Sequence, residues 1–173
     1  MTNIYEEVEL LTITYKSSHI INRSLSNISE KFKLTIVENS NDINFKQKIG
    51  NRKNVNCMLS GKNIGFGAAF NLGAKSINSK YIMHFNPDAM INDDVINQMY
   101  KISKNINFGI ISVVETENTT QIKNFEKNDL KEVESVKGFV MFINNHECRD
   151  TNYFDEKFFL YLEEIDLCKR LKE

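Results

Sequence analysis

The sequence predicts an α/β domain whose mostly parallel sheet is covered by helices on both faces. Three observations carry that expectation. Short apolar runs alternate with segments of helical period. Clusters of turn-forming residues close several of the runs. At 173 residues and 41% hydrophobic content, the chain can bury one substantial core without staples. With no internal repeat or low-complexity linker, one domain over residues 1–173 is expected.

Val8 to Tyr15, rich in Leu, Ile and Thr, reads as a buried strand that stops at Lys16-Ser17-Ser18. Ser17 or Ser18 can cap the next helix, where Ile20, Ile21, Leu25 and Ile28 recur at helical spacing. Lys33 to Val37 is a second strand, closed by the turn formers Glu38-Asn39-Ser40-Asn41-Asp42. Val55 to Leu59 is a third. A loop with Gly65 and Gly67 then opens a helix from about Phe66 to Ile77, and Tyr81 to Phe85 is the next strand. Asn92-Asp93-Asp94 caps a helix running through Ile102, and Phe108 to Val114 is a fifth strand. Thr116 to Lys131 is polar, a loop or a crossing connection. Val133 to Ile143 reads as a strand and Glu163 to Lys172 as the last helix.

With 22 basic and 23 acidic residues, the net charge of -1 gives no global attraction to nucleic acid or anionic lipid. Phosphate recognition must therefore be local. Cys57, Cys148 and Cys168 have neither zinc-ligand spacing nor a disulfide framework, and read as free thiols of a reducing cytoplasm. Met1 to Glu9 has no apolar core of a signal peptide, and no apolar run reaches the about 20 residues that span a bilayer. A cytoplasmic protein is expected, with room for peripheral contact at the inner face of the membrane and for a homo-oligomer.

Lys62-Asn63-Ile64-Gly65-Phe66-Gly67-Ala68-Ala69-Phe70-Asn71 is followed, one strand later, by Asn86-Pro87-Asp88. That order suits a nucleoside diphosphate held by backbone amides on one side and a divalent metal on the other. Gly65 and Gly67 permit close backbone approach, and helix-start amides favour an anion. Asn63 and Asn71 can offer uncharged hydrogen bonds to ribose or phosphate. Simple turn-and-helix packing is the alternative for the glycines alone. Pro87 biases Asn86 toward extended backbone, so Asn86 and Asp88 can turn toward one point and offer oxygen ligands to Mg²⁺ or Mn²⁺. An ordinary Asn-Pro-Asp turn is the plain account.

Ligands of open α/β sheets bind beyond the carboxyl ends of the strands, where Thr14, Tyr15, Glu38 and Asn39 fall. A carboxylate there can accept the imide N–H of uracil or thymine, and an aromatic ring can pack on the base; rim and turn residues explain them equally well. Glu164 shares an apolar helix stripe with Leu167, Cys168 and Leu171, where a partly desolvated carboxylate approaches the range of a useful base. Glu163, Asp166 and Arg170 lie on another face. The helix dipole alone also accounts for acids in this first turn. Gly138 could let a sugar approach the backbone, or mark a strand bulge.

These segments resemble the family 2 glycosyltransferases, in particular the rhamnosyltransferase-like branch. The likeness lies in Asn63-x-Gly65-Phe66-Gly67-x-x-x-Asn71, Asn86-Pro87-Asp88, the Val136-x-Gly138-x-x-Met141 pattern, and the block from Phe154-Asp155-Glu156 to Glu163-Glu164-x-Asp166-Leu167-x-x-Arg170. It spans Leu10 to Arg170. Where the branch ends its second strand on Asp-Asn, this chain has Glu38-Asn39; where it has Glu-Asp, this chain has Glu163-Glu164. The resemblance implies a GT-A fold and inverting transfer from a nucleoside-diphosphate sugar, dTDP-rhamnose or a UDP-sugar, to a glycan or lipid-linked acceptor in bacterial surface-polysaccharide synthesis. It assigns Glu164 as catalytic base, Asp88 as main metal ligand with Asn86 weaker, and the donor to Thr14, Tyr15, Glu38, Asn63, Gly65, Gly67, Asn71, Asn86, Asp88 and Gly138. It further implies that the C-terminal part of the usual domain is missing. A non-catalytic sugar-nucleotide-binding module stands as the competing class. A nucleotidyltransferase ranks last, because Tyr15-Lys16-Ser17-Ser18 lacks the glycine-rich loop expected after its first strand.

Overall fold

A computed structural model describes residues 3–114 and 130–173. Six strands form one sheet: β1 (Val8–Thr14), β2 (Lys33–Glu38), β3 (Val55–Leu59), β4 (Tyr81–Phe85), β5 (Ile110–Ser112) and β6 (Val140–Asn144). Their order is β3-β2-β1-β4-β6-β5. β1 runs parallel to β2 and β4, and β2 to β3, while β6 is antiparallel to both β4 and β5. The helices are α1 (Ile4–Glu7), α2 (Ile21–Leu25), α3 (Ile43–Ile49), α4 (Phe66–Ala74), α5 (Asp93–Ser103), α6 (Asn145–Asp150) and α7 (Glu163–Arg170).

Alternation along the strands explains two separate cores. On β1, Leu10 joins Ile21, Leu25, Phe45 and Ile96 on one side of the sheet; its neighbour Leu11 joins Phe70, Cys148 and Leu167 on the other. Both faces are thereby covered, as expected. Gly73 lets α4 lie close on the sheet, because a Cβ there would sit 2.5 Å from Leu11 and 2.9 Å from Val37.

Several boundaries differ from the expectation. Val133 to Ile143 was expected as one strand, yet only Val140–Asn144 is strand, because β4 offers partners from Phe85 back to Tyr81 and no further. The fifth strand shrinks to Ile110–Ser112 for the same reason, pairing with β6 at three positions. Neither Ser17 nor Ser18 caps α2 through its side chain. Its N-cap is Ile20, and the Ser17 hydroxyl donates to the Tyr15 carbonyl. Asn92 does cap α5, accepting from the Val95 amide at 3.0 Å. The expectation for Thr116–Lys131 falls, except for its last two residues, outside the described part.

Candidate functional site

β1 has β2 on one side and β4 on the other, so the chain reverses its winding between β1 and β4. The two ladders end at different heights. Pairing of β1 with β2 continues to Thr14–Glu38, whereas pairing with β4 stops at Leu11–His84. A fork opens above that point. Thr12 and Thr14, both fully buried, each carry a hydroxyl with no hydrogen-bond partner among the described residues.

The ends of β1 and β2 are tied together by Glu38 and Asn39. Glu38 is 1% exposed, and its carboxylate accepts from the Ser40 amide (3.1 Å), the Ser40 hydroxyl (2.5 Å) and the Asp42 amide (2.6 Å). It therefore folds the loop that leads into α3 and does not present itself to solvent. Ser40 in turn accepts from the Lys16 amide, which fixes the Tyr15-Lys16 turn. Tyr15 itself is exposed, with the Lys16 ammonium 5.5 Å from its ring centre. Asn39 is the organiser that sequence reasoning missed. Its amide donates to the Thr14 carbonyl at 2.7 Å, while its side chain bonds Asn63, the Ile64 amide and the Gly65 carbonyl.

The start of α4 differs most from the expectation. Two of the amides there are already engaged: the Phe66 amide donates to the Phe159 carbonyl at 2.9 Å, and the Gly65 amide to Asn63 Oδ1 at 3.1 Å. Close approach does occur at both glycines, but what approaches is the protein's own chain, backbone at Gly65 and a side chain at Gly67. At Gly65, with φ of 85°, a Cβ would lie 2.4 Å from the Phe159 carbonyl oxygen; at Gly67 it would lie 3.1 Å from Phe154 Cβ. Asn71, expected at the ligand, is 1% exposed and clamps Phe154 from both ends. Its Nδ2 donates to the Phe154 carbonyl at 2.8 Å and its Oδ1 accepts from the Phe154 amide at 3.1 Å. The segment from Asn63 to Asn71 thus fastens α4 to residues 154–159.

Asn86-Pro87-Asp88 emerges from β4 on the other arm of the fork. The Asn86 amide donates to Phe139 at 2.8 Å and its carbonyl accepts from Ala89 at 2.9 Å. The Pro87 carbonyl accepts from the Ser24 hydroxyl. The turn is rigid, Asn86 is half-buried and Asp88 is exposed. Gly138 lies close by, and a Cβ added to it meets nothing within 4 Å, so the space before it is open. Among the described residues no group of three or more His, Cys, Asp or Glu side chains could hold a metal unaided. One carboxylate and one amide oxygen still suit Mg²⁺ or Mn²⁺ where diphosphate and water fill the remaining positions. His84, two residues earlier, is wholly buried beside the Phe66 and Phe70 rings, and burial pushes its pKa down to about 4. A polar cleft of about 510 Å³, lined by Glu30, Asn51, Arg52, Lys53 and Asn54, lies near the opposite ends of β2 and β3 and holds none of the expected site residues.

α7 brings the third group of residues. The side chain withdrawn from water is Glu163, 4% exposed, with Oε2 unpartnered among the described residues; Glu164 is partly exposed. Burial raises the Glu163 carboxyl above its usual range, and the neighbouring Glu164 adds to the shift. Asp166 pairs with Arg170, both contacts at 2.8 Å. Arg170 also donates to the Thr151 and Tyr153 carbonyls, holding the loop that precedes the Phe154 clamp. Ahead of α7, Phe159, Leu160, Tyr161 and Leu162 are all more than half exposed, and Tyr161 and Leu162 take left-handed backbone with φ of 69° and 74°. The three cysteines are free and buried; burial pushes Cys148 up to about 12 and Cys57 to about 11.

Solved structures share this architecture over nearly the whole chain. S. aureus TarS residues 1–349 superposes with a TM-score of 0.72 at 15% identity, covering 95% of this chain and 55% of that one. Mannosyltransferase PcManGT from Pyrobaculum calidifontis, in complex with GDP-Man and Mn²⁺, gives 0.73 at 11% identity, covering 95% and 51%. This is the GT-A fold. A relative in sequence is the low-salt glycan biosynthesis hexosyltransferase Agl10 of Haloferax volcanii, 26% identical over 191 aligned positions. That alignment covers 96% of this chain and 62% of the relative, so the chain spans less than two thirds of its relative's length. No family profile matches the chain. Among the described residues, no helix is long and apolar enough to cross a membrane.

Proposed function

We propose that this chain is the donor-binding and catalytic domain of an inverting glycosyltransferase, using a nucleoside-diphosphate sugar and a hydroxyl acceptor. The observation that carries this reading is the rigid Asn86-Pro87-Asp88 turn, standing at the fork between β1 and β4 with its oxygen donors accessible. Support comes also from the likeness to Agl10, and from TarS and PcManGT, whose structures contain UDP-GlcNAc and GDP-Man respectively.

In this reading the Tyr15 ring packs on the base at the end of β1, Thr14 lines the crevice, and Gly138 leaves room for the sugar. Glu38, Asn63, Gly65, Gly67 and Asn71 serve the donor indirectly, by shaping the loops around it. Asp88 is the main ligand of Mg²⁺ or Mn²⁺, and Asn86 the weaker one. A bound metal of that kind supplies positive charge to the departing diphosphate. Glu164 takes the proton of the acceptor hydroxyl; the freed oxygen forms a bond to the anomeric carbon while the bond to the diphosphate breaks, its electron pair leaving with the diphosphate. Glu164 suits this role better than Glu163 because its side chain is partly exposed, whereas Glu163 is enclosed. The donor is dTDP-rhamnose or a UDP-sugar, the acceptor a glycan or lipid-linked sugar, and the setting cytoplasmic assembly of a bacterial surface polysaccharide.

The test is transfer by the full chain, after a thermal-shift screen of nucleotide sugars with and without Mn²⁺ selects the donor. Glu164→Gln should lower the transfer rate by about 10²–10⁴-fold, the usual contribution of a general base, while donor affinity stays near normal. A variant that transfers at the parent rate would remove Glu164 from the chemistry.

A further inference from the structure

We infer that Phe159 is a positioning residue for Glu164: its carbonyl, held by the Phe66 amide at the start of α4, fixes the entry to α7 and with it the turn that carries the carboxylate. The inference rests on the reading of Glu164 as the general base.

Residues 159–162 are not held by their side chains. Phe159, Leu160, Tyr161 and Leu162 are 57, 52, 72 and 57% exposed. Among the described residues, the hydrogen bond that ties this stretch to an element other than α7 is a backbone one, from the Phe66 N–H to the Phe159 carbonyl at 2.9 Å. Gly65 packs against the same carbonyl and leaves no room for a Cβ, which would come within 2.4 Å of the oxygen. The anchor is itself fixed. The Asn39 side chain donates to the Gly65 carbonyl at 3.1 Å, and the Asn39 amide donates to the Thr14 carbonyl at 2.7 Å. Phe159 is thereby joined to a frame that reaches the end of β1.

The chain beyond Phe159 needs such an anchor. Tyr161 and Leu162 take left-handed backbone, with φ of 69° and 74°. Residues with a Cβ resist that conformation and keep it only where the surroundings hold both ends of the turn. One end is α7, whose second half is fixed by buried Leu167 and Cys168 and by Arg170 on the Thr151 and Tyr153 carbonyls. The other end is the Phe159 carbonyl.

Leu162 is the N-cap of α7 and makes no side-chain cap bond. Its carbonyl, accepting from the Asp166 amide at 3.0 Å, closes the first turn. Release of Phe159 lets Tyr161 and Leu162 relax to ordinary backbone, and the Leu162 carbonyl then turns away from Asp166. Glu164 lies inside that turn and moves with it. A misplacement of about 1 Å in a reacting group can cost about 10²-fold in rate. One backbone amide of α4 thus steadies the start of α7, and it joins the base to the loop that shapes the donor side.

Proline at position 66 isolates this single bond. Phe66 is the first residue of α4, where proline is well tolerated, and Phe66→Pro removes the N–H that Phe159 accepts. Phe66→Ala is the reference, because both variants lose the ring that packs on His84, Phe70 and Phe154. Hydrogen exchange by NMR on the full chain should show the Asp166 amide exchanging about 10-fold faster in Phe66→Pro than in Phe66→Ala. With a donor and acceptor that the parent uses, kcat should be about 10–100-fold lower in Phe66→Pro than in Phe66→Ala. Calorimetric affinity for UDP or dTDP with Mn²⁺ should be the same in both. Equal Asp166 exchange or equal kcat would overturn the inference. So would nucleotide affinity falling in step with kcat, which would make the bond a support of the donor site and not of the base. If Glu164→Gln transfers at the parent rate, the base reading fails and takes the positioning role with it, while exchange still decides whether Phe159 holds the first turn. Where Phe66→Pro does not fold, the parent decides. Its Phe66 and Asp166 amides should open together, and a Phe66 amide that opens without Asp166 would overturn the link.

Discussion

Asn71 separates a residue that meets a ligand from one that holds the fold. Its side chain satisfies both backbone groups of Phe154 in a buried setting, at 2.8 and 3.1 Å. Asn71→Ala leaves the Phe154 carbonyl and amide without partners, and each buried orphan costs about 1–3 kcal/mol, so about 4 kcal/mol in sum is expected. That is a large part of a typical domain stability of about 5–15 kcal/mol. Asn71→Asp should do no better: it keeps an acceptor for the Phe154 amide but sets a carboxylate against the Phe154 carbonyl and the Glu156 carboxylate, 3.1 Å from the present Nδ2. Urea unfolding followed by circular dichroism measures the change as a lowered midpoint at unchanged slope. Nucleotide affinity, taken at a temperature where the variant is folded, should stay close to that of the parent. An unchanged midpoint with lost nucleotide affinity would refute the clamp and return Asn71 to the ligand.

The other predictions are shorter. Asp88→Ala, on an exposed side chain, should abolish the Mn²⁺-dependent part of UDP or dTDP affinity by calorimetry while leaving the melting temperature unchanged. Gly65→Ala should destabilise by at least about 2 kcal/mol in the same unfolding assay, because left-handed backbone and a close backbone contact both oppose a Cβ; Gly138→Ala, with open space before it, should stay within about 0.5 kcal/mol. Acid should weaken the metal-free fold through His84. With its pKa near 4 in the folded state and about 6.5 unfolded, the unfolded chain binds the extra proton between those values. The stability contributed by a neutral His84 is therefore complete above about pH 6.5 and falls as pH drops toward 4, by about 2 kcal/mol at pH 5. Unfolding midpoints of the parent and His84→Leu, compared at pH 7.5 and 5, should show a shallower loss in the variant, and equal losses would contradict the burial of a neutral imidazole.

The central strands were the most legible part of the fold. Val8–Thr14, Lys33–Glu38 and Tyr81–Phe85 are dense in buried residues because both faces of the sheet are covered, and that density shows in sequence. The edge strand β5 and its neighbour β6 are set by the reach of the strands they pair with, so the expected fifth and last strands ran too long. α3 was missed although its signals were present, with Asp42 capping the Phe45 amide and Phe45 and Ile49 on one face. In the candidate site, residue types told which loops matter but not what each side chain touches. Asn63, Gly65 and Asn71 carry the same letters whether they hold a diphosphate or their own backbone. Only the arrival of residues 154–159, far along the chain, distinguishes the two. The same holds for Glu163 and Glu164, where helical period placed Glu164 on the apolar stripe and the packed chain encloses Glu163 instead.

The bonds from α4 to the later segment also set an order of events during synthesis. Asn71 and Phe154 are 83 residues apart. At ordinary elongation rates of about 5–20 residues per second, α4 waits about 4–17 s after its own synthesis before Phe154 exists. Throughout that interval Asn71 lacks its partner, the first turn of α4 lacks the Phe159 carbonyl, and the apolar side of the helix has nothing of residues 153–167 to lie against. The strands from β1 to β4 can pair early, through local βαβ steps, but the nascent domain stays open on one side.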